Sequence, residues 1–517
     1  MYRYYCCHEK QKTSQSKKSF LASATIILIF FTILLIATAF AVRGLDGAFF
    51  QIDKNNANWS LIRWGQDLAA MRAVNMNTVI CAYAVFDSSA FYPGCSLSGV
   101  TVLGQPLDKI LTIADTTGMT VHLGLVYEAA WWNNEANTTY LDTITEKNKT
   151  VINELYALYN SHSSWQGWYI PTETDNWTTR LESSRQNLVN HYLRPVSDYC
   201  HAKDSTKIVS LAPYFNYQLA MDPTSWKGWW MSTLSEATSL DLIMLQDGVG
   251  AQAKNYTSSS SYFIQVTAYF SAVKQATDST HRILWSDLEI FSDTSTWQSA
   301  SIDRITTQID LENPYVANFT CWEFPYYMSP NKGVTQSLLY SNYSAYINGI
   351  DIPAKTNLAL HKTYTVTPSP SPTYPDSGGE LTDGLIPDNN WSSELGWFNP
   401  GAYPIITLDL GSVYTDITDV WGYCLRDTTA AIYEPQYMMV STSTNGTSYT
   451  FVGNAPKPGA IYDRGTNIYK WNGDGFSGRY IRCVLVPPGN LWTMINELEV
   501  YQTSLPIPLE LFDFFSE

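Results

Sequence analysis

The stretch Gly167-Trp168-Tyr169-Ile170-Pro171-Thr172-Glu173 reads as a β-strand, residues 181–199 as an amphipathic helix, and Lys207-Ile208-Val209-Ser210-Leu211-Ala212-Pro213-Tyr214-Phe215 as the next strand. Two strands joined through a helix of that length pair in parallel. Outward from this unit the alternation recurs. Strands are expected at 47–52, 78–84, 120–128, 167–173, 207–215, 240–247, 282–291 and 316–324, with helical patterns such as 61–73, 107–115, 151–159, 262–276 and 302–311 between them. Eight such units close into a (β/α)8 TIM barrel of about 250 residues plus insertions. The competing fold is an open doubly wound sheet, but the turn after the first strand lacks the Gly-rich cradle such sheets use for dinucleotides.

In a closed barrel the functional site forms where the strands end. Carboxylates stand there: Glu128 on the third expected strand, Glu173 on the fourth, Asp247 on the sixth, Asp287 and Glu289 on the seventh and Glu323 on the eighth. Period-two alternation puts Tyr169, Pro171 and Glu173 on one face, as it does Trp285, Asp287 and Glu289, and Phe319, Cys321 and Glu323. A single strand-end acid is as well explained by a helix cap or an ion pair. Convergence of the set on one rim is not something caps require. Glycoside cleavage needs one carboxylic acid to protonate the leaving oxygen and one carboxylate as nucleophile or base on the other side of the bond. Glu173 and Glu289, three strands apart, are the expected catalytic pair, with Asp287 the alternative to Glu289. Gln51, Glu128, Tyr214, Asp247, Asp287, Trp285, Trp322 and Glu323 are expected to bind substrate. Trp131, Trp132, Trp177, Tyr326 and Tyr327 crowd the same loops, where aromatic rings suit the apolar faces of sugars, although ordinary packing explains any one of them.

Several stretches together are similar to a family of glycosidase-like barrels catalogued as domain of unknown function 4434. They are Gly47-Ala48-Phe49-Phe50-Gln51, Trp168 to Glu173, Ala212-Pro213-Tyr214-Phe215, Leu245-Gln246-Asp247-Gly248-Val249-Gly250, Trp285-Ser286-Asp287-Leu288-Glu289 and Cys321-Trp322-Glu323-Phe324. The resemblance implies kinship with TIM-barrel glycoside hydrolases and supplies no substrate. In many of those the acid/base ends strand four and the nucleophile strand seven, which matches Glu173 and Glu289.

Beyond residue 350 the helical pattern gives way to short strands between Gly, Pro, Ser and Asn turns, the signature of a β-sandwich. Leu381-Thr382-Asp383-Gly384, Trp391, Leu408-Asp409-Leu410-Gly411, Arg479-Tyr480-Ile481-Arg482 and Glu497-Leu498-Glu499-Val500 follow the landmark order of the discoidin (coagulation factor V/VIII type C) domain over 356–502. The resemblance implies a jelly roll that binds carbohydrate and a structural calcium ion near Asp383, unless Asp383 only makes its turn. No cofactor is expected for catalysis. Trp391, Trp397 and Trp492 are candidates for a stacking platform.

Residues 20–42 are apolar without a charge, long enough for a bilayer core that needs about 20 residues. Arg3, Lys10, Lys12, Lys17 and Lys18 precede them, which predicts an N-terminal transmembrane helix in a single-pass type II orientation; cleavage after Ala41 gives a secreted chain instead. The expected organisation is a cytoplasmic basic tail (1–19), the anchor (20–42), the barrel (43–350), the carbohydrate-binding domain (356–502) and a C-terminal tail (503–517). Sequons at Asn58, Asn137, Asn148, Asn176, Asn255, Asn318, Asn342, Asn390 and Asn445 suit an extracellular or lumenal glycoprotein, with Asn318 expected to stay unused and Asn176 to carry an outward-pointing glycan. Cys81–Cys95 and Cys424–Cys483 are candidate bridges that sequence alone leaves open. A net charge of −16 without a basic run beyond the tail disfavours nucleic acid. The 7 scattered histidines form no transition-metal motif. These readings converge on a membrane-anchored glycoside hydrolase acting on a polysaccharide or glycoconjugate, with a non-catalytic surface lectin or adhesin as the alternative.

Overall fold

The computed structural model describes residues 42–216, 221–252, 261–292, 297–350, 355–386, 391, 394–458, 464–489 and 491–503. The expected anchor and cytoplasmic tail lie outside them, as do Asn255 and Asn390. No helix among the described residues is long and apolar enough to cross a membrane.

The strands β1 (Gly47–Phe50), β2 (Thr78–Cys81), β3 (Thr120–Gly124), β4 (Trp165–Ile170), β5 (Ile208–Leu211), β6 (Leu242–Gln246), β7 (Ile283–Glu289) and β8 (Phe319–Trp322) form one parallel sheet in chain order. Asp46 N–H donates to the Phe319 carbonyl at 2.7 Å, and Phe319 N–H to Asp46 Oδ2 at 2.9 Å, which joins the last strand to the first. Helices return the chain between strands: α1 (Leu61–Ala73), α2 (Pro106–Thr117), α3 (Thr138–Tyr159), α4 (Glu182–Leu188) running through a π turn into α5 (Arg194–Lys203), α6 (Pro223–Glu236), α7 (Ser261–Ser279), α8 (Ile302–Glu312) and α9 (Val334–Ile347). Their starts are chemically marked: Ser60, Asn137, Asp222 and Ser301 each accept a backbone N–H of the first turn.

Alternation sorts the strand side chains. Phe49, Ile80, Tyr169, Leu242 and Met244 fill the barrel with Trp285 and Trp322 packed against them, while Val79, Val121, Trp168, Ile243 and Leu288 face the helices. Phe319 and Cys321 belong to the helix-facing core and Trp322 packs on the inner cluster, so the face expected for Phe319, Cys321 and Glu323 together does not hold: the first two face the helices and only Glu323 comes to the mouth. Gly124 is required where β3 presses on β2: a Cβ there would lie 2.2 Å from the Ala82 carbonyl oxygen.

The C-terminal region is an antiparallel all-β domain. Its strands are β9 (Lys355–Asn357), β10 (Thr363–Thr367), β11 (Leu395–Phe398), β12 (Ile405–Asp427), β13 (Tyr437–Ser443), β14 (Thr450–Pro456), β15 (Arg464–Val486) and β16 (Trp492–Thr503). The main path runs β9-β16-β12-β15-β13-β14, with β10 added to β12 and β11 to β16, around a separate core of Leu381, Leu408, Val420, Val440, Ile481 and Leu498.

Two expectations about side-chain chemistry are corrected. Cys81, Cys95, Cys424 and Cys483 are free thiols, and neither candidate bridge forms. Asn176 carries no outward glycan, because its buried amide donates to the carbonyls of Asn216 and Met221 and its oxygen accepts Asn216 N–H. Asn148 is likewise consumed inside, accepting Val126 N–H and donating to the Ile144 carbonyl. Asn318 immediately precedes β8, where it stands half-buried.

Gly124→Ala is expected to destabilise the barrel by about 1–3 kcal/mol, because backbone and not a flexible side chain must move. At roughly 2–4 °C per kcal/mol this is measurable as a lowered Tm. Adding a reductant should leave the wild-type Tm where it was, since no disulfide joins the described cysteines.

Candidate active site

The mouth is built from the last residues of β7 and the first residues beyond the other ladders. Just past β4, Glu173 is fixed from two sides: the buried Trp131 indole donates to its backbone carbonyl at 2.7 Å, and the Gln246 amide bonds its carboxyl. Gln246 is held in turn by donating to the Ala212 carbonyl at 2.9 Å. Burial, opposed by the Gln246 hydrogen bond and reinforced by Asp175, pushes Glu173 up to about 7.

On β7 the parity expected from sequence holds. Trp285 packs inside the barrel, and Ser286 turns outward to donate to Glu312 Oε2 at 2.5 Å. Asp287 and Glu289 follow Trp285 on the inner face, only 1 % and 5 % exposed. Desolvation raises Asp287 well above the usual carboxylate range, and the charges of Glu289, Asp247 and Glu173 add to it. Glu289 Oε2 accepts the Ala251 N–H at 2.7 Å; burial and Asp247 nonetheless push this acid up to about 8, with Arg304 pulling the other way. Glu323 lies 1 % exposed beyond β8, one oxygen taking the Gln51 N–H at 2.6 Å and the other without a hydrogen-bond partner, and burial raises it strongly.

Aromatic rings flank these acids. Tyr83, Phe86 and Tyr127 stack together, with Phe86 and Tyr127 5.6 Å apart and nearly coplanar. The half-exposed Trp132 lies 6.1 Å from Tyr214, whose hydroxyl donates to Asp175. The buried phenol of Tyr169 feels both Glu173 and Asp287, so it sits where their fields overlap. Trp322 packs on Phe49, 5.4 Å between centroids.

Glu173, Asp287, Glu289, Glu323, Gln51, Tyr214 and Trp322 thus come to one mouth, with Trp285 beneath it. Two expected site residues are used differently. Glu128 pairs with Lys147 of α3 at 2.5 Å. Asp247 follows the inward Gln246 and so turns outward, buried behind β7. Sequence reading passed over Gln246 as a partner of Glu173, and over Tyr83, Tyr127 and Glu135; the parity of Leu242, Met244 and Gln246 was the available signal for the first. Buried Glu135, from the loop after β3, is pushed up to about 8 by desolvation and by Asp175.

The family model described as Domain of unknown function (DUF4434) matches residues 45–333. The chain belongs to this family. Among solved structures, a proposed alpha-L-fucosidase from Bacteroides thetaiotaomicron VPI-5482 superposes with a TM-score of 0.50 at 20 % identity, covering 60 % of this chain and 94 % of that one. That likeness is one of fold. A GH29 fucosidase from Ruminococcus gnavus, in complex with fucose, gives a TM-score of 0.31 at 11 % identity, over 89 % of this chain and 92 % of its own. The family 32 CBM of Clostridium perfringens NanJ, in complex with galactose, gives 0.23 at 15 % identity, over 29 % of this chain and all of its own length (100 %). No curated protein matches the chain.

Raised acids have a consequence for stability. Glu173 and Glu289 titrate near 7 and 8 when folded, against 4.5 as their ordinary value, so between those limits the native state holds more protons than the unfolded chain. Stability must then fall as pH rises from about 5 to 8. Thermal unfolding across that range should show a declining Tm, and Glu289→Gln, which has no charge to desolvate, should show a shallower decline.

Proposed function

We propose that the barrel is a glycoside hydrolase in which Glu173 is the general acid/base and Glu289 the nucleophile or base. The observation that carries this reading is that two inward-facing carboxyls at the mouth, both held above the ordinary carboxylate range by burial, rest on different partners. Glu173 is half-buried, held by an amide and poised to be protonated near neutrality. Glu289 receives a backbone N–H and feels the Arg304 guanidinium, which oppose the burial and the Asp247 charge that hold it up at about 8. Two carboxylates with separated roles are what glycosidic cleavage requires. The aromatic walls and the surplus hydrogen-bonding acids suit a polyhydroxylated ring. Asp287 is the second reading for the partner acid, favoured by the fields of Glu173 and Asp287 meeting at Tyr169.

The test uses the full chain and a panel of aryl glycosides, α-L-fucosides included. Glu173→Gln should lower kcat by about 10²–10⁴ on 4-nitrophenyl glycosides, and far less on 2,4-dinitrophenyl glycosides, whose leaving group needs no proton. Glu289→Gln should abolish turnover with both. Full activity of Glu289→Gln together with loss in Asp287→Asn would transfer the role to Asp287.

The C-terminal domain, in this reading, is a discoidin-type module that holds the enzyme on a carbohydrate surface. Trp397 is buried in its core and donates to the Pro368 carbonyl, so it leaves the platform; Trp492, flanked by the exposed Phe398 at 5.3 Å, remains. Calcium fits at Asp383. One oxygen of the buried Glu497 accepts Gly384 N–H in the same turn, the other has no partner, and the two acids repel. No group of three or more His, Cys, Asp or Glu able to hold a metal occurs among the described residues, so backbone carbonyls would complete the set. Chelation should lower the Tm of this domain, and Asp383→Ala should make it insensitive to chelator.

A single-pass anchor at 20–42 completes the proposal. Arg43 donates to the Ala317 carbonyl, and Tyr343 and Tyr346 bond Leu45 N–H and the Arg43 carbonyl, so the chain enters at the N-terminal end of the barrel, opposite the acids. The N-terminus of the mature protein, read by Edman degradation or mass spectrometry, decides between anchor and cleavage.

A further inference from the structure

Behind β7 lies a buried polar group that substrate does not reach. Arg304, Gln308 and Glu312 follow one another at four-residue spacing on α8 and form a single stripe facing the barrel, each buried. Arg304 Nη2 donates to the Glu289 carbonyl at 2.8 Å, and Gln308 Nε2 reaches both that carbonyl and Asp247 Oδ2. The other Asp247 oxygen accepts the N–H of Glu289 at 3.3 Å and of Val249 at 3.0 Å. Val249 opens the helical turn Val249–Gln252, whose Ala251 N–H holds the Glu289 carboxylate. One side chain therefore ties down both the backbone of Glu289 and the turn that binds its head group. Glycine is needed beside it: a Cβ on Gly250 would stand 2.9 Å from Glu289 Oε2 and 2.3 Å from the Phe291 carbonyl.

Glu312 stands behind Asp247, its Oε2 accepting Ser286 Oγ–H and its buried Oε1 without a hydrogen-bond partner. Burial and the charge of Asp247 raise Glu312 well above the usual carboxylate range, so of these two buried acids Glu312 is the one held neutral.

We propose that Asp247, backed by the neutral Glu312, is a positioning residue that sets both the place and the titration of Glu289. This rests on the glycosidase reading for its catalytic meaning but not for its physical content. The groups facing Glu289 are Asp247 from β6, Asp287 from its own strand, Arg304 from α8 and Tyr327 from the segment after β8. Negative charge on Asp247, supported by the N–H groups of Val249 and Glu289 and by Gln308, makes ionising Glu289 harder. Removing that charge must let Glu289 ionise at lower pH.

Asp247→Asn, Glu312→Gln and Glu312→Leu in the full chain separate the contributions. On the best-cleaved 4-nitrophenyl glycoside, Asp247→Asn should lower kcat by about 10²-fold, the cost of misplacing a reacting group by about 1 Å. KM should change little, and the acidic limb of kcat/KM should move down by about one pH unit. Glu312→Gln, which keeps a neutral polar group behind Asp247, should stay within a few-fold of wild type, while Glu312→Leu should follow Asp247→Asn. An unmoved acidic limb in Asp247→Asn, or equal rates for the two Glu312 variants, overturns the proposal. If wild type cleaves no glycoside, the glycosidase reading fails, and the fall of Tm between pH 5 and 8 still decides this one: it must be shallower in Asp247→Asn than in wild type, and an equal fall refutes the role. Should Asp247→Asn not fold, Gln308→Met withdraws a donor from Asp247 and from the Glu289 carbonyl, and must move both the acidic limb and the slope of Tm against pH; no change in either refutes the role.

Discussion

Everything at the mouth depends on the sheet being closed. The Asp46 and Phe319 hydrogen bonds seal β8 to β1, and without that seam the eight strand ends would splay along a line and not converge on one opening. Closure also dries the mouth. Acids from β7 and from the segments beyond β4 and β8 are brought into a space that strips much of their solvation, and their affinities for protons rise together. An isolated carboxylate in such a place would be a defect. Several carboxyls, differently supported, form a graded set in which burial raises every member and the hydrogen bonds and charges around each set how far.

The grading comes from β6. Gln246, its last residue, points inward to Glu173, and Asp247, the next in the chain, points outward to the back of Glu289. Gly248 then takes a left-handed φ of 66°, and Gly250 allows the turn to lie against Glu289. The short Gln246-Asp247-Gly248-Val249-Gly250 element therefore contacts both proposed catalytic acids, which lie on strands to either side of it. Its residues have separate physical duties, so its specificity as a sequence pattern has a structural cause.

Much of this was legible in the chain. All eight barrel strands lie where apolar runs placed them, because strands covered on both faces must be continuous hydrophobic stretches. Their C-terminal limits were set too late, since the inter-strand bonds stop short of Glu128, Glu173, Asp247 and Glu323, while on β7 they run through Asp287 to Glu289. The first half of α3 was hidden because Thr138 to Asn148 shows few apolar residues, although the Asn137 cap marked its start. Helix α6 was not among the segments singled out, despite Asp222-Pro223 at its head. Glu128 could not be placed from parity: β3 ends at Gly124, and the ion pair with Lys147 depends on a helix the pattern had shortened. The roles of Arg304, Gln308 and Glu312 were out of reach, since they arise only when a helix is laid across two strands.

The inward amides of Asn148 and Asn176 carry a consequence for how this chain can be made. Oligosaccharide transfer acts on an extended, unfolded acceptor, and both triplets satisfy its requirement. In the finished protein each of these side chains spends its N–H groups on neighbouring carbonyls in a space that admits no sugar. A molecule modified at either position has lost an internal donor and has no route to the native packing. In a glycosylating host the fraction of active protein is thus set by a contest between two rates, burial of these asparagines and encounter with the transferase, while in a host without that enzyme the contest does not arise.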